Sequence, residues 1–201
     1  MSSRDAILQR IRTQLSGQQS PPLPPVPEVW PRLNPSAEEM ARRFQEELEA
    51  VHGEVIRVGS VDDARERLAE LVEKENWARL GCLDRPLCRE IAEGLPCEVS
   101  LPVAEWTPQT MASLDVGLLE PEWLLADTGS SVVTPGTAPE RILCYLPPAC
   151  VVVATLDRLR EHLPAAWTEI APRVADPQVR GEFVLITGPS RTADIEKILI
   201  L

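Results

Sequence analysis

The chain has 201 residues, 44% of them hydrophobic and only eight aromatic, which suffices for one full core with an appendage. Its 31 acidic residues against 20 basic ones give a net charge of −11, a surface that repels phosphate backbones and anionic lipid, so neither nucleic acid nor membrane is an expected partner. Two histidines leave few candidates for a Ser–His–Asp triad, and five cysteines at 82, 88, 97, 144 and 150 lack any CxxC spacing, so no zinc or iron–sulfur ligand set is expected in this chain.

The N-terminus, MSSRDAILQRIRTQL, mixes charges with apolar residues, unlike a secretory signal. Residues 3–15 predict a short amphipathic helix striped by Ile7, Leu8, Ile11 and Leu15. Ser16 to Pro35 holds seven of the 20 prolines and reads as an extended arm. Residues 1–35 are thus expected to form a helical arm that docks on its own domain or on a partner, including a second copy of the chain. Residues 36–201 are expected to form the main domain.

Ser36 and Glu39 make a capping box, and the helix after it carries Met40, Phe44, Leu48 and Val51 on one face as far as His52 and Gly53. EVIRV at 54–58 predicts a strand. Ser60 opens a helix over 61–75, ARLGCL at 78–83 predicts a strand, Asp84 is expected to cap a short helix, and CEVSL at 97–101 predicts another strand. This alternation points to βαβ units and a mainly parallel sheet in a three-layer α/β domain. SLDVGLL (113–119), EWLLADTG (122–129) and SSVVTP (130–135) are strand-like pieces with tight breaks, compatible with a hairpin or an antiparallel edge. CVVVA (150–154) and FVLIT (183–187) are continuous apolar runs, as expected of central strands covered on both faces. Helices are expected after Thr155 and near 164–175. The longest apolar stretch, Ile142 to Leu156, is broken by Pro147 and Pro148 and is shorter than the ~20 residues of a membrane span. The thiols read as reduced cysteines of a cytoplasmic protein.

Two turns carry the candidate chemistry. In FVLITGPSRTADIE a buried strand ends at Thr187, and Gly188, Ser190, Arg191 and Thr192 follow. Free N–H groups, hydroxyls and a guanidinium suit a phosphate or carboxylate beyond a strand end. The same residues serve equally in ordinary turn and N-cap chemistry. In ADTGSSVVTPG, Asp127 precedes Thr128, Gly129 and Ser130. Asp127 could act as a base or orient a substrate hydroxyl, or simply cap the turn. Arg141 could clamp an anion or pair with Glu140. Both His52 and His162 lie at helix ends, where capping or dipole roles are the ordinary ones. Buried Cys144 and Cys150 read as inert thiols.

ADTGS at 126–130, PERILCYLPPACVVV at 139–153 and ITGPSRTADIE at 186–196 resemble the LUD domain of the lactate-utilisation protein C (LutC/YkgG) family, over roughly residues 36–201. The resemblance implies a fold like the NagB/RpiA/CoA-transferase group. It also implies a cytoplasmic role in oxidising L-lactate to pyruvate with two iron–sulfur partner proteins, the clusters residing in those partners. Relatives commonly carry Glu in place of Asp127, and often a His near Cys150. They usually continue beyond the final segment with a Gly-His-Gly-Pro-like stretch. The alternatives from other classes are a stand-alone enzyme for a phosphorylated or acyl substrate and a non-catalytic assembly scaffold.

Overall fold

The computed structural model describes residues 3–16, 30, 32–102, 106–176, 182–189, 192–193 and 199–200. It comprises two compact units, Met1–Pro31 and Arg32–Leu201. In the first, helix α1 (Ser3–Leu15) leaves Ile7, Ile11 and Leu15 exposed, and none of its residues is buried.

In the second unit, α2 (Ala37–Ala50) begins with the full capping box. The Ser36 hydroxyl accepts the Glu39 N–H at 3.3 Å, and the Glu39 carboxylate accepts the Ser36 N–H at 2.8 Å. Ser60 caps α3 (Val61–Lys74) in the simpler way, accepting the Asp63 N–H at 3.1 Å. Then follow β1 (Arg79–Cys82), α4 (Pro86–Ala92), β2 (Glu98–Ser100), α5 (Pro108–Ala112) and β3 (Val116–Leu119). The chain continues through β4 (Trp123–Leu125), β5 (Ser130–Val133), α6 (Ala138–Leu143) and β6 (Ala149–Val152). A 3-10 turn at Leu156–Arg158 leads to β7 (Leu159–Arg160), α7 (Leu163–Val174), β8 (Val184–Ile186) and an antiparallel pair, β9 (Thr192–Ala193) with β10 (Leu199–Ile200).

The first sheet has the order β2-β1-β3-β6 and is parallel throughout. Leu80, Cys82, Val116, Leu118 and Leu119 are fully buried in it, each large side chain contributing about 1.5–3 kcal/mol by leaving water. Helices cover both faces. Gly81 and Gly117 are register partners, and α6 approaches them so closely that a Cβ would meet Leu143 at 2.6 Å and 2.9 Å respectively. On the other face Leu68 and Val72 of α3 and Cys88 and Ile91 of α4 complete the core. The domain is therefore a three-layer α/β structure. No helix among the described residues is long and apolar enough to cross a membrane.

The second sheet has the order β7-β4-β5-β8 and is mixed. β4 pairs antiparallel with β5 and parallel with β7, and β5 pairs antiparallel with β8. Its β8 residues Val184 and Ile186, with Val133 of β5, pack into the core of the first sheet, so the two sheets share apolar material.

Several local expectations are corrected. Residues 54–58 form no strand. Only Val55 of this segment packs inward, beside Phe44 and Leu48, while Ile56 and Val58 stay exposed. The Arg57–Glu38 pair at 2.8 and 2.6 Å ties the segment to α2 instead of to a strand edge. Asp84 does not cap α4. Its carboxylate takes the Arg89 Nε–H at 2.5 Å, and the Leu87 N–H in the first turn goes to Glu120 at 3.0 Å. The helix that begins after Thr155 is only a single 3-10 turn, Leu156–Arg158. The 3-10 turn ends in β7, with the Arg160 guanidinium gripping the Asp157 and Leu159 carbonyls at 2.8 Å. The apolar runs of β6 and β8 are edge strands, not central ones. Ala149, Val151, Val152, Val184 and Ile186 pack partly buried against the first sheet's core, while Cys150 and Leu185 are exposed.

Candidate functional site

The mixed sheet brings the two predicted turns together. β5 runs antiparallel to both β4 and β8, so β4 and β8 end at the same edge, where β5 begins. The Ser130 hydroxyl lies 2.6 Å from the Thr187 hydroxyl and 2.8 Å from that of Thr128. Residues 57 positions apart thus share one hydroxyl chain.

Both glycines of these turns sit on the end of α2. Gly129 has φ +62°, and a Cβ there would fall 2.5 Å from the Leu48 amide nitrogen and 2.8 Å from its Cα. Gly188 has φ +66°, and its Cβ would fall 2.6 Å from Val51 Cγ2. Only glycine combines this left-handed backbone with such an approach. The apolar stripe of α2 therefore fixes the height of both turns.

β7 ends at the same edge, and it brings residues that the sequence suggests only for helix-end chemistry. The parallel β4/β7 ladder ends with Leu125 opposite Arg160; in the turn beyond it the Ala126 N–H bonds the Arg160 carbonyl at 2.9 Å and the Asp127 N–H bonds the Glu161 carbonyl at 3.1 Å. The second bond brings the Asp127 backbone beside Glu161 and its neighbour His162. Glu161 is buried and accepts the Leu33 N–H through both oxygens, at 2.9 and 3.1 Å. His162, 4% exposed, is the N-cap of α7. Its Nδ1 accepts the Ala165 N–H at 2.9 Å, so the proton of the neutral ring lies on Nε2.

An ion pair holds α7 in place. Arg160 gives two parallel hydrogen bonds of 2.7 Å to Glu169, whose carboxylate also accepts the Trp123 indole N–H at 3.2 Å. The Arg160 hydrogen bond holds the Glu169 carboxyl below its usual range, and the Trp123 bond adds to this.

Two polar atoms at this edge are buried without a hydrogen-bond partner among the described residues: Asp127 Oδ1, an acceptor, and His162 Nε2, a donor. Leaving such a group unsatisfied costs about 1–3 kcal/mol. Both belong to one structural corner.

Other predicted residues lie elsewhere. Arg141 pairs with Glu182, which precedes β8 and so stands at the end of that strand opposite Thr187. Ser190 and Arg191 lie outside the described residues, and Thr192 is placed only as part of the β9 backbone. A second polar group, unread in the sequence, stands where the parallel strands end. Arg85 approaches Glu122 at 3.9 Å and Glu140 at 3.7 Å, and Arg173 approaches Glu122 at 3.7 Å. Glu122 also accepts the Thr134 N–H at 2.8 Å. Here charges of both signs meet and satisfy one another, which marks the cluster as a brace between elements. Among the described residues no three His, Cys, Asp or Glu side chains are placed to hold a metal ion.

The sequence pattern described as LUD domain matches residues 41–201. No curated protein matches the chain. Among solved structures, a crystal structure of a DUF162 family protein from Deinococcus radiodurans is similar in fold. It has a TM-score of 0.59 and 14% identity, covering 76% of this chain and 88% of that one.

Proposed function

This chain belongs to the LUD domain family, and from that premise we propose that it is a lactate-utilisation protein of the C (LutC/YkgG) type. Family membership implies involvement in lactate utilisation. In the proposed role the chain handles the small carboxylate in the cytoplasmic conversion of L-lactate to pyruvate, together with iron–sulfur partner proteins. In this reading the clusters belong to those partners, as the family resemblance implies.

One observation carries the reading. The Asp127–Ser130 turn and the Thr187–Gly188 turn meet through the Ser130–Thr187 hydrogen bond and rest together on α2. A polar edge with a free carboxylate oxygen, a hydroxyl chain and a glycine turn suits a small hydroxy acid. Asp127 accepts the substrate hydroxyl, Thr128 and Ser130 offer further hydrogen bonds, and the Gly188 turn with Ser190 and Arg191 receives the carboxylate.

Growth on L-lactate after deletion of the gene tests the role. Wild type is expected to restore growth and Asp127→Asn to restore it poorly. Full growth of the deletion strain would refute the role, and turnover of a phosphorylated or acyl compound by the isolated chain would favour a stand-alone enzyme. Calorimetry tests the site. Loss of a charge-assisted bond is worth about 1.5–3 kcal/mol, so Arg191→Ala is expected to weaken L-lactate binding roughly 10- to 100-fold.

A further inference from the structure

The corner formed by Asp127 and His162 asks for a guest of defined chemistry. The imidazole has only one free function, because its Nδ1 is committed to the Ala165 N–H at 2.9 Å. Among the described residues its Nε2–H is a buried donor without a partner, and Asp127 Oδ1 is a buried acceptor without one. Asp127 follows β4 and His162 follows β7, where those parallel strands end, and the Asp127 N–H bonds the carbonyl of Glu161, the residue before His162, at 3.1 Å. The two side-chain atoms do not satisfy each other. A single oxygen that donates one hydrogen bond and accepts another would satisfy both.

A ketone or a carboxylate oxygen only accepts, so it serves the imidazole and leaves Asp127 without a donor. An ammonium group only donates, so it serves Asp127 and leaves the imidazole unpaired. Water and an alcohol hydroxyl do both, and of the two only the hydroxyl is a handle on an organic ligand, which displaces the water when it binds. We infer that the Asp127–His162 corner is a hydroxyl-recognition subsite, in which a substrate alcohol donates to Asp127 Oδ1 and accepts from His162 Nε2–H. This rests on the hydroxy-acid reading above and extends it by naming His162, a residue outside the two motif turns, as a direct substrate ligand. It also assigns the discrimination between the alcohol and its oxidised or deoxygenated counterparts to this pair. A site built to bond a hydroxyl rejects an analogue lacking it, because the buried groups are then left unpaired.

The test uses the full chain and two probes, L-lactate and propionate, which differ by the hydroxyl. Wild type is expected to bind L-lactate at least about 10-fold more tightly than propionate. His162→Asn retains a side-chain oxygen suited to capping α7 but removes the ring N–H. It is expected to weaken L-lactate by about 10-fold or more and to leave propionate unchanged, so that the preference collapses. A purely structural histidine would shift both affinities together. If His162→Asn does not fold, nitrogen-15 imidazole spectra of wild type supply the same answer. His162 Nε2 is then expected to shift on saturation with L-lactate but not with propionate, while exposed His52, the other histidine of the chain, stays in place. Tight L-lactate binding with an unchanged preference in the variant, or with no response at His162, overturns the subsite and leaves the lactate reading standing. Absence of L-lactate binding to wild type overturns both.

Discussion

Replacing Gly129 by alanine separates two costs that usually occur together. The first is conformational: at φ +62° an L-residue loses about 1–2 kcal/mol relative to its preferred regions. The second is steric. The new Cβ would stand 2.5 Å from the Leu48 amide nitrogen and 2.8 Å from its Cα. These are backbone atoms in the last turns of α2 and cannot rotate away, so the helix or the turn must shift, at about 1–3 kcal/mol. Together Gly129→Ala is expected to lose about 2–5 kcal/mol. At roughly 2–4 °C per kcal/mol for a domain of this size, the melting temperature falls by about 4–20 °C. Gly94 supplies the control. It has φ +78°, and a methyl group there would meet no atom within 4 Å, so Gly94→Ala carries only the conformational cost, near 1 kcal/mol and about 2–4 °C. Thermal melting followed by circular dichroism, with urea titration for the free energies, measures both. Equal losses in the two variants would refute the claim that α2 sets the position of the site turn.

Ser36→Ala removes the hydroxyl that accepts the Glu39 N–H but keeps the backbone N–H of residue 36 that donates to the Glu39 carboxylate, and is expected to cost about 1 kcal/mol in urea unfolding; an unchanged midpoint would refute this. Because the Glu169 carboxyl is held below its usual value of 4.5, chiefly by Arg160, its stabilisation is present above about pH 4.5 and is lost as pH falls through the lowered folded value. The stability gap between wild type and Glu169→Gln should therefore shrink on acidification. It should be small throughout, since the Glu169 side chain is 45% exposed; a gap that widens towards low pH would contradict the assignment. Burial pushes the Cys144 thiol up to about 12, so at pH 8 it is expected to resist a water-soluble thiol reagent until the chain unfolds. Mass mapping of Cys144 labelling before and after urea checks this.

Features whose causes are local were legible in the chain alone. The Ser36–Glu39 box and the Ser60 cap lie within three residues of their partners, so the start of α2 and of α3 could be read directly. The α2 stripe of Phe44 and Leu48 follows from helical spacing. The turns at Gly129 and Gly188 stood out because each places a glycine and hydroxyls after an apolar run. Whatever needed a distant partner waited for the folded chain. EVIRV at 54–58 has strand composition, yet a strand exists only where another edge offers its hydrogen bonds, and here Arg57 is drawn to Glu38 instead. CVVVA and FVLIT read as central because their residues are apolar on both sides, but pairing decides position in a sheet: both strands lie at edges, and Cys150 and Leu185 are exposed. Asp84 was a plausible cap until folding brought Glu120 to the first turn of α4 and Arg89 to Asp84. Arg141 and the two turns are close in composition and apart in space, because antiparallel β5 and β8 carry them to opposite ends. Nothing in REHLP announces a buried imidazole with one free N–H. That property arises only when β7 pairs with β4, α7 closes over the ring, and water is removed from a donor that no neighbour replaces.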